Sequence, residues 1–180
     1  AITGHNATET YDGDPHTAAG FEAANANTLF SATKVNYDGE TEISRTDAGT
    51  TNMDLELAKF SYDDGNIAAS FTLAADGYVT INPADFSVGT IANVTYNGEE
   101  QKYEPVVTDG EKVLVKDQDY TLTYSTNDLT NVGTKTVTVN GIGNYAGSKA
   151  VSYAIEKLAL ENAITGHNAT ETYDGDPHTA

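Results

Sequence analysis

The sequence predicts an all-β protein that consists of two small β-sandwiches in tandem. Asp-Gly and Asn-Gly pairs recur along the chain and separate short runs rich in Val, Thr and Tyr, and such pairs between β-rich runs are the strongest short-range signal for hairpins. Apolar and polar residues alternate within several of these runs, as they do in strands that bury one face. An exact internal repeat indicates, in addition, that complete domains recur along the chain.

The internal repeat is the strongest single feature of the sequence. Residues 163–180 match residues 1–18 letter for letter, which makes the period 162 residues. Ancient duplication leaves substitutions wherever packing tolerates them, so identity over all 18 positions indicates an array of near-identical copies. The period far exceeds the roughly 20–50 residues of a solenoid unit, so each copy must contain whole domains. We predict that the chain is one cassette of such an array followed by the start of the next.

The first domain is predicted to span residues 1–84. Its clearest strands carry apolar residues at alternate positions: Met53, Leu55 and Leu57; Phe71 and Leu73; Val79 and Ile81. Residues 18–27 are predicted to form a loop or one helical turn, and residues 57–60 another short helical turn. If residues 18–27 instead form a short helix on a sheet, this unit would be β-grasp-like. Pro83 cannot donate to a ladder, so it is a natural end for the last strand.

The second domain is predicted to span residues 85–162, with residues 163–180 as the start of the next repeat copy. Alternation again indicates its strands: Tyr120, Leu122 and Tyr124; Val137 and Val139; Val151, Tyr153 and Ile155.

Two short segments of the second domain match segments of the first. TYNGE at 95–99 matches TYDGD at 10–14, and TNVGT at 130–134 matches TDAGT at 46–50. We therefore predict that the two domains are related to each other.

Turn glycines and alternating strands in the first domain carry a resemblance to a known group. TDAGT at 46–50, then Met53 and Leu55, and finally DGYVTINP at 76–83 resemble the MBG/YDG-type tandem repeats of large bacterial surface proteins. In the second domain, VTYNG at 94–98 and VGTKTVTVNGIGNYAG at 132–147 resemble the Ig-like repeats that accompany them in Gram-positive adhesins.

This resemblance covers nearly the whole chain and implies a function. It implies Ig-like β-sandwiches in an extracellular protein of the cell wall or cell surface, acting as a stalk or spacer that presents a distal adhesive domain. The alternative is that the repeats themselves bind host glycan (mucin) or matrix protein weakly and gain strength through many copies.

Composition narrows the expected partners. The net charge of −18 at pH 7 excludes nucleic-acid binding, since phosphate recognition needs a basic face. No segment approaches the roughly 18 apolar residues of a membrane span, so we expect no membrane insertion by this part of the chain. Cysteine is absent, which leaves packing and hydrogen bonds to hold each domain. The expected partners are neighbouring repeats of the same chain.

No catalytic residues and no cofactor are expected, so the protein is predicted not to be an enzyme. No serine lies in a nucleophile elbow, and the four histidines, all in the duplicated block, follow no zinc-binding spacing. Calcium is kept as a hypothesis, because carboxylates near turns are the oxygen ligands that hard cations prefer. The candidate ligands are Asp12, Asp14, Asp63, Asp64, Asp117 and Asp119.

Other side chains are candidates for binding or covalent roles. Tyr11, Tyr37 and Tyr62 are the candidate ligand-binding residues, since an exposed aromatic patch would favour the binding alternative. Lys135 and Lys149 are in phase with apolar strand residues, so either could form an intramolecular isopeptide bond with Asn or Asp. The alternative is a strand-end lysine whose stem lies along the core edge while its ammonium reaches water.

The duplicated tail has no obvious partner within the chain. If a domain begins at residue 1, residues 163–180 are a hairpin without its sheet, and an isolated hairpin is marginal in water. We expect the tail to pack across the end of the second domain, to complete that domain's sheet, or to add a strand to a neighbouring molecule.

Overall fold

Residues 1–161, 166 and 168–178 are described by the computed structural model, and this part of the chain is all-β, which confirms the predicted fold class. Within it the helical elements are two 3-10 turns, Ala32–Lys34 and Leu57–Lys59. The second of these turns confirms the helical turn predicted for residues 57–60. Residues 18–27 hold a strand rather than a helix, so the helix of the β-grasp alternative does not form there.

Ten short strands make up the first 82 residues. They are β1 Ile2–Gly4, β2 Asn6–Thr10, β3 His16–Ala19, β4 Phe21–Ala23, β5 Val35–Tyr37, β6 Glu42–Arg45, β7 Gly49–Asn52, β8 Phe60–Tyr62, β9 Leu73–Ala75 and β10 Tyr78–Asn82. They pair in the orders β4-β1-β9, β2-β10-β7, β3-β6 and β5-β8.

Seven strands follow in the second domain. They are β11 Ser87–Val88, β12 Val94–Thr95, β13 Val107–Asp109, β14 Lys112–Val113, β15 Tyr120–Tyr124, β16 Gly133–Gly141 and β17 Ser148–Glu156. They form a sheet of order β11-β13-β14 and a four-stranded sheet of order β12-β17-β16-β15. The strands predicted from alternation correspond to β15, β16 and β17.

The two domains share a three-stranded unit. In the first domain β10 pairs in parallel with β2 and antiparallel with β7. In the second, β17 pairs in parallel with β12 and antiparallel with β16. The residue after the first strand donates its amide to the end of the last strand in both cases: Tyr11 N lies 2.8 Å from Asn82 O, and Tyr96 N lies 2.8 Å from Glu156 O.

The first domain buries its apolar residues in two clusters. Ile2, Met53, Leu55 and Phe60 form one cluster, and Ala18, Val79 and Ile81 form the other. Alternation on β10 explains the second cluster, because Val79 and Ile81 point to the same face of the strand and are 0% and 1% exposed. Leu57 departs from the predicted pattern. It is 42% exposed because it opens a 3-10 turn, where period-2 alternation no longer applies.

The second domain has its core along β16 and β17. Val137 and Val139 are fully buried on one face of β16 but belong to two clusters. Val137 packs with Tyr153 and Ile155 of β17, and Val139 belongs to a larger cluster that includes Phe86 and Tyr145. Lys135 lies on the same face of β16 and is 4% exposed. Its stem shares the apolar face, as the sequence predicted.

The duplicated tail is exposed wherever the structure describes it. Residues 166 and 168–178 are all exposed and contain no strand. Packing of the tail across the second domain, or completion of that domain's sheet, was therefore a wrong prediction for these residues. His167 lies outside the described residues, as do residues 162–165 and 179–180. No helix in the described part of the chain is long and apolar enough to cross a membrane.

Candidate functional site: the junction between the domains

Tyr11 connects the two domain cores. It follows β2 directly, and its half-buried ring packs against the Ala18, Val79 and Ile81 cluster of the first domain. The same ring also packs against the larger core of the second domain. There it meets the buried Tyr145 edge to face, with ring centroids 5.7 Å apart at an interplanar angle of 80°. Such aromatic pairs are worth roughly 0.5–1.5 kcal/mol beyond the area they bury.

Asn144 forms the polar part of the junction. Its Oδ1 accepts a hydrogen bond of 2.7 Å from the Ala48 amide, and its Nδ2 donates to Asp47 Oδ1 at 2.8 Å. Asp47 and Ala48 lie in the turn before β7, and Asn144 lies in the turn after β16. One side chain of the second domain therefore satisfies both an amide and a carboxylate of the first.

The linker between the domains is held by the same turn. Ala84 donates its amide to Asn144 O at 2.9 Å and accepts a hydrogen bond from the Ala146 amide at 3.0 Å. Ala84 is 6% exposed and belongs to the core of the second domain together with Phe86, which is 3% exposed. The linker is therefore paired at Ala84 and packed at Ala84 and Phe86 rather than free to swing.

A lysine and an aspartate complete the junction on the side of the second domain. Lys112 Nζ donates to Tyr145 OH at 3.2 Å, and that hydroxyl donates to Asp109 Oδ2 at 3.3 Å. The hydrogen bond to Tyr145 is the main cause of the raised pKa of Lys112, so the ammonium stays charged. It lies 5.6 Å from the ring centroid of Tyr145 and 5.8 Å from that of Tyr11, within cation–π range of both.

Burial raises the pKa of the Tyr145 phenol above its ordinary value. The hydroxyl therefore keeps its proton at neutral pH and can donate to Asp109. Apolar packing, hydrogen bonds and a cation thus converge on one contact between two domains. This arrangement can fix the orientation of one domain relative to the other, because its polar groups are hydrogen-bonded to one another.

Two of the calcium candidates, Asp12 and Asp64, already accept hydrogen bonds from groups of their own turns or of neighbouring elements. Asp12 Oδ1 accepts from the Asp14 amide at 2.9 Å and from His16 Nε2 at 3.1 Å. Asp64 accepts from Lys34 Nζ and from the Asn66 amide. Hydrogen bonding is the main cause of the lowered pKa of each carboxyl: the bond from the Asp14 amide for Asp12, and the bond from Lys34 for Asp64.

The remaining calcium candidates are also placed by turns. Asp63 donates its amide to Lys34 O at 2.8 Å, Asp119 Oδ2 accepts from the Val115 amide at 2.8 Å, and Asp117 has a φ of 65°. Among the described residues, no group of three or more His, Cys, Asp or Glu side chains is placed to hold a metal ion. The structure thus leaves calcium a hypothesis without an assembled site in this part of the chain.

The three candidate tyrosines do not come together as one patch. Tyr37 packs on Phe60 at a centroid distance of 4.6 Å, and its hydroxyl accepts from the Glu56 amide at 3.1 Å. Tyr62 stacks on Phe30 at 5.5 Å and accepts from an amide at 2.9 Å. Tyr11 lies at the junction. Each ring therefore has a structural partner in this chain, and ligand binding by them stays a prediction.

Lys149 is placed unfavourably for an isopeptide bond. Its Nζ donates to Asp85 Oδ2 at 2.7 Å and to Phe86 O. The Asp85 side chain is 76% exposed, and the hydrogen bond from Lys149 lowers its pKa. Amide formation needs a neutral acid and a neutral amine away from water, whereas this pair is a solvated ion pair.

The sequence did not indicate Asn144 and Tyr145 as functional residues. Both lie in the glycine-flanked GNYAG segment at 143–147, and Tyr145 is the larger of the two. A large aromatic residue between turn glycines is the signal that could have found them, because a buried ring is unusual in a solvated turn.

No protein-family model matches the chain, and a search of curated proteins finds no significant match.

Proposed function

We propose that this chain is a structural repeat cassette of an extracellular bacterial surface protein, in which it acts as a stalk or spacer that presents a distal adhesive domain. The observation that carries the proposal is the direction of the strands. In each domain the first and last strands of the shared three-stranded unit run parallel. A chain that enters such a unit at one end leaves it at the opposite end, which is what end-to-end stacking requires.

The junction supports the same proposal. Two domains that are joined only by a flexible linker move relative to each other by default. Here Tyr11 packs into both cores, Asn144 bridges to the turn before β7, and Ala84 pairs with the turn that holds Asn144. These contacts oppose bending at the linker, and a spacer must resist bending to hold a distal domain away from a surface.

The surface chemistry fits a crowded position on a cell. A net charge of −18 makes neighbouring chains repel one another and keeps a long array soluble. The exact repetition of residues 1–18 at 163–180 supports an array, and two divergent domain types alternating along it reduce misfolding between identical neighbours.

Strand length sets the expected size of the spacer. The longest strands, β16 and β17, have nine residues each, and at about 3.3 Å per residue each spans roughly 30 Å. Two domains end to end therefore extend each cassette by roughly 60 Å on the same rise.

Small-angle X-ray scattering on proteins of one, two and three tandem copies tests the proposal. The maximum dimension is expected to grow linearly by about 60 Å per copy, with the profile of a rod. A compact or randomly coiled particle would contradict the stalk, and binding of the same proteins to mucin glycans and matrix proteins would then test the alternative function. The series is repeated with calcium and with chelator, since shortening on chelation would favour calcium sites between copies.

A further inference from the structure

We infer that the groove beside Ala1 receives residues 158–160 of the preceding copy of the cassette. The inference rests on the proposed function, because it requires tandem copies. It adds to that proposal a second interface, formed between one cassette and the next, which the single copy leaves open.

The groove lies where the first domain would receive an incoming chain. It has a volume of about 270 Å³, and its lining is mixed. Apolar side chains, among them Leu29, Phe30, Ile67 and Phe71, lie beside Ala1, and polar residues, Asn25, Asn27 and Ser70, also line it. Leu29 is 72% exposed. The volume is below the roughly 300–1,000 Å³ of clefts that hold drug-sized ligands.

The backbone at Ala1 directs a preceding residue along this groove. Ala1 N donates to Ala24 O at 2.8 Å, and Ala24 N donates to Ala1 O at 2.9 Å. These bonds extend the antiparallel ladder of β1 and β4. A peptide N–H at Ala1 would make the same bond as the amine, so a residue attached to it would continue beside the groove.

The internal repeat identifies the occupant. Residues 158–162 stand directly before residue 163, the copy of Ala1. Leu158 and Leu160 are 53% and 74% exposed, and side chains two residues apart in an extended segment share one face. Leu160 and Leu158 are three and five residues from the copy of Ala1, and extended chains of these lengths reach about 10 and 17 Å. Both leucines can therefore lie along the groove of the following cassette.

The junction inside the cassette uses the same device. Ala84 and Phe86, also two residues apart, lie in the segment that leads into the second domain and are 6% and 3% exposed in its core. The segment before the first domain would have the equivalent role if Leu158 and Leu160 cover Leu29 and its neighbours. Both junctions of an array would then be packed.

Pulsed electron paramagnetic resonance on a protein of two tandem copies tests this docking. The chain has no cysteine, so spin labels are attached at Asn127→Cys in the first copy and Glu40→Cys in the second, both exposed positions. We expect one narrow distance distribution. The double variant Leu158→Asp/Leu160→Asp in the first copy is expected to broaden it by at least about twofold, because domains without an apolar interface move independently.

Two further variants separate docking from a general effect of added charge. Val113→Asp/Val115→Asp adds the same charge at positions that are 62% and 54% exposed, and it should leave the distribution unchanged. Leu29→Asp in the second copy changes the groove itself and should broaden the distance distribution. The docking is overturned if the distance distribution of the Leu158/Leu160 variant is as narrow as that of the unaltered protein. That result is expected if the groove binds a separate ligand instead.

The same two labels placed within one copy report on the junction of the first and second domains. A broad distribution between copies together with a narrow one within a copy would overturn the docking and leave rigid cassettes on flexible links. Broad distributions in both cases would overturn the stalk as well.

Discussion

Replacing Asn144 by alanine tests whether the two domains stabilise each other. The change removes two side-chain hydrogen bonds across the junction, to the Ala48 amide and to Asp47 Oδ1, and keeps the backbone carbonyl that pairs with Ala84. A typical side-chain hydrogen bond contributes about 0.5–1.5 kcal/mol net. The first domain is therefore expected to lose about 1–3 kcal/mol of stability, although the substitution lies in the second domain.

Residue-resolved hydrogen exchange measures this transfer of stability. The reporters are the buried amides of Val79 and Ile81 in the first domain, and their exchange is expected to accelerate by about 5–150-fold in Asn144→Ala. Asn140→Ala is the matched control, because Asn140 also makes two side-chain hydrogen bonds, to Thr123 and Ser148, but both within the second domain.

The expected result is that Asn140→Ala accelerates exchange in the second domain alone. Acceleration of the Ile81 amide by this control would mean that the two domains unfold as one unit. If Asn144→Ala leaves Val79 and Ile81 unchanged while destabilising the second domain, the junction contributes nothing to the first domain and the reasoning is refuted.

Three other predictions follow from single contacts. Gly4→Ala should destabilise the first domain by at least about 1–3 kcal/mol in urea unfolding, because a Cβ there would lie 2.1 Å from Gly77 N. Gly65→Ala is the control: its Cβ would meet nothing within 4 Å, so stability should change by less than about 1 kcal/mol. Equal effects of the two substitutions would contradict the packing at Gly4. The pKa of Asp85 is lowered by Lys149, and that of Asp64 by Lys34, so the stability they contribute is present above the ordinary Asp pKa of about 3.9 and is lost as the pH falls through the lowered folded values. When the pH is lowered below about 4, the urea concentration at the unfolding midpoint should therefore decrease, and it should decrease less in Asp85→Asn. A midpoint that rises on acidification would contradict this. Finally, amides of residues 6–10 should be protected from exchange and those of the identical residues 168–172 should not, and protection of both would show that the sequence alone forms the strand.

Alternation was sufficient to predict the long strands of the second domain. Val137 and Val139 on β16 are buried as expected, because a nine-residue strand offers several repeats of the period and its hairpin partners are close in sequence. The matched TDAGT and TNVGT segments also correspond in structure. β7 and β16 each begin at the glycine of that segment, Gly49 with φ 130° and Gly133 with φ 139°, a conformation that favours glycine.

Short polar strands and long-range contacts could not be predicted in this way. β2 has the sequence NATET, which carries little apolar signal, and it is a strand because β10, some 70 residues later, pairs with it. The junction is the extreme case. Asn144 meets Asp47 and Ala48 across 97 and 96 residues of chain, so no local pattern indicates their contact. The sequence indicates Tyr11 only as a ligand-binding candidate, whereas the structure places its ring against Tyr145.

The duplicated segment separates local from tertiary causes, because one sequence occurs in two environments. Its turn forms in both. Asp12 Oδ1 accepts from the Asp14 amide at 2.9 Å, and Asp174 Oδ1 accepts from the Asp176 amide at 2.9 Å. The glycine between each pair has a φ of 90° in both copies. An aspartate that bonds the amide two residues on needs no other part of the chain, so the sequence by itself determines this turn.

The strand before that turn forms only once. Residues 6–10 pair with β10 and form a strand, whereas the identical residues 168–172 have no strand structure and are exposed. Tyr11 is half-buried between two cores, and its counterpart Tyr173 is 94% exposed. A strand must pair its backbone with a neighbour, and a ring must find a surface to cover. The first copy meets β10 and Tyr145 in the folded protein, so only the tertiary structure decided that this segment became part of a sheet and of a junction.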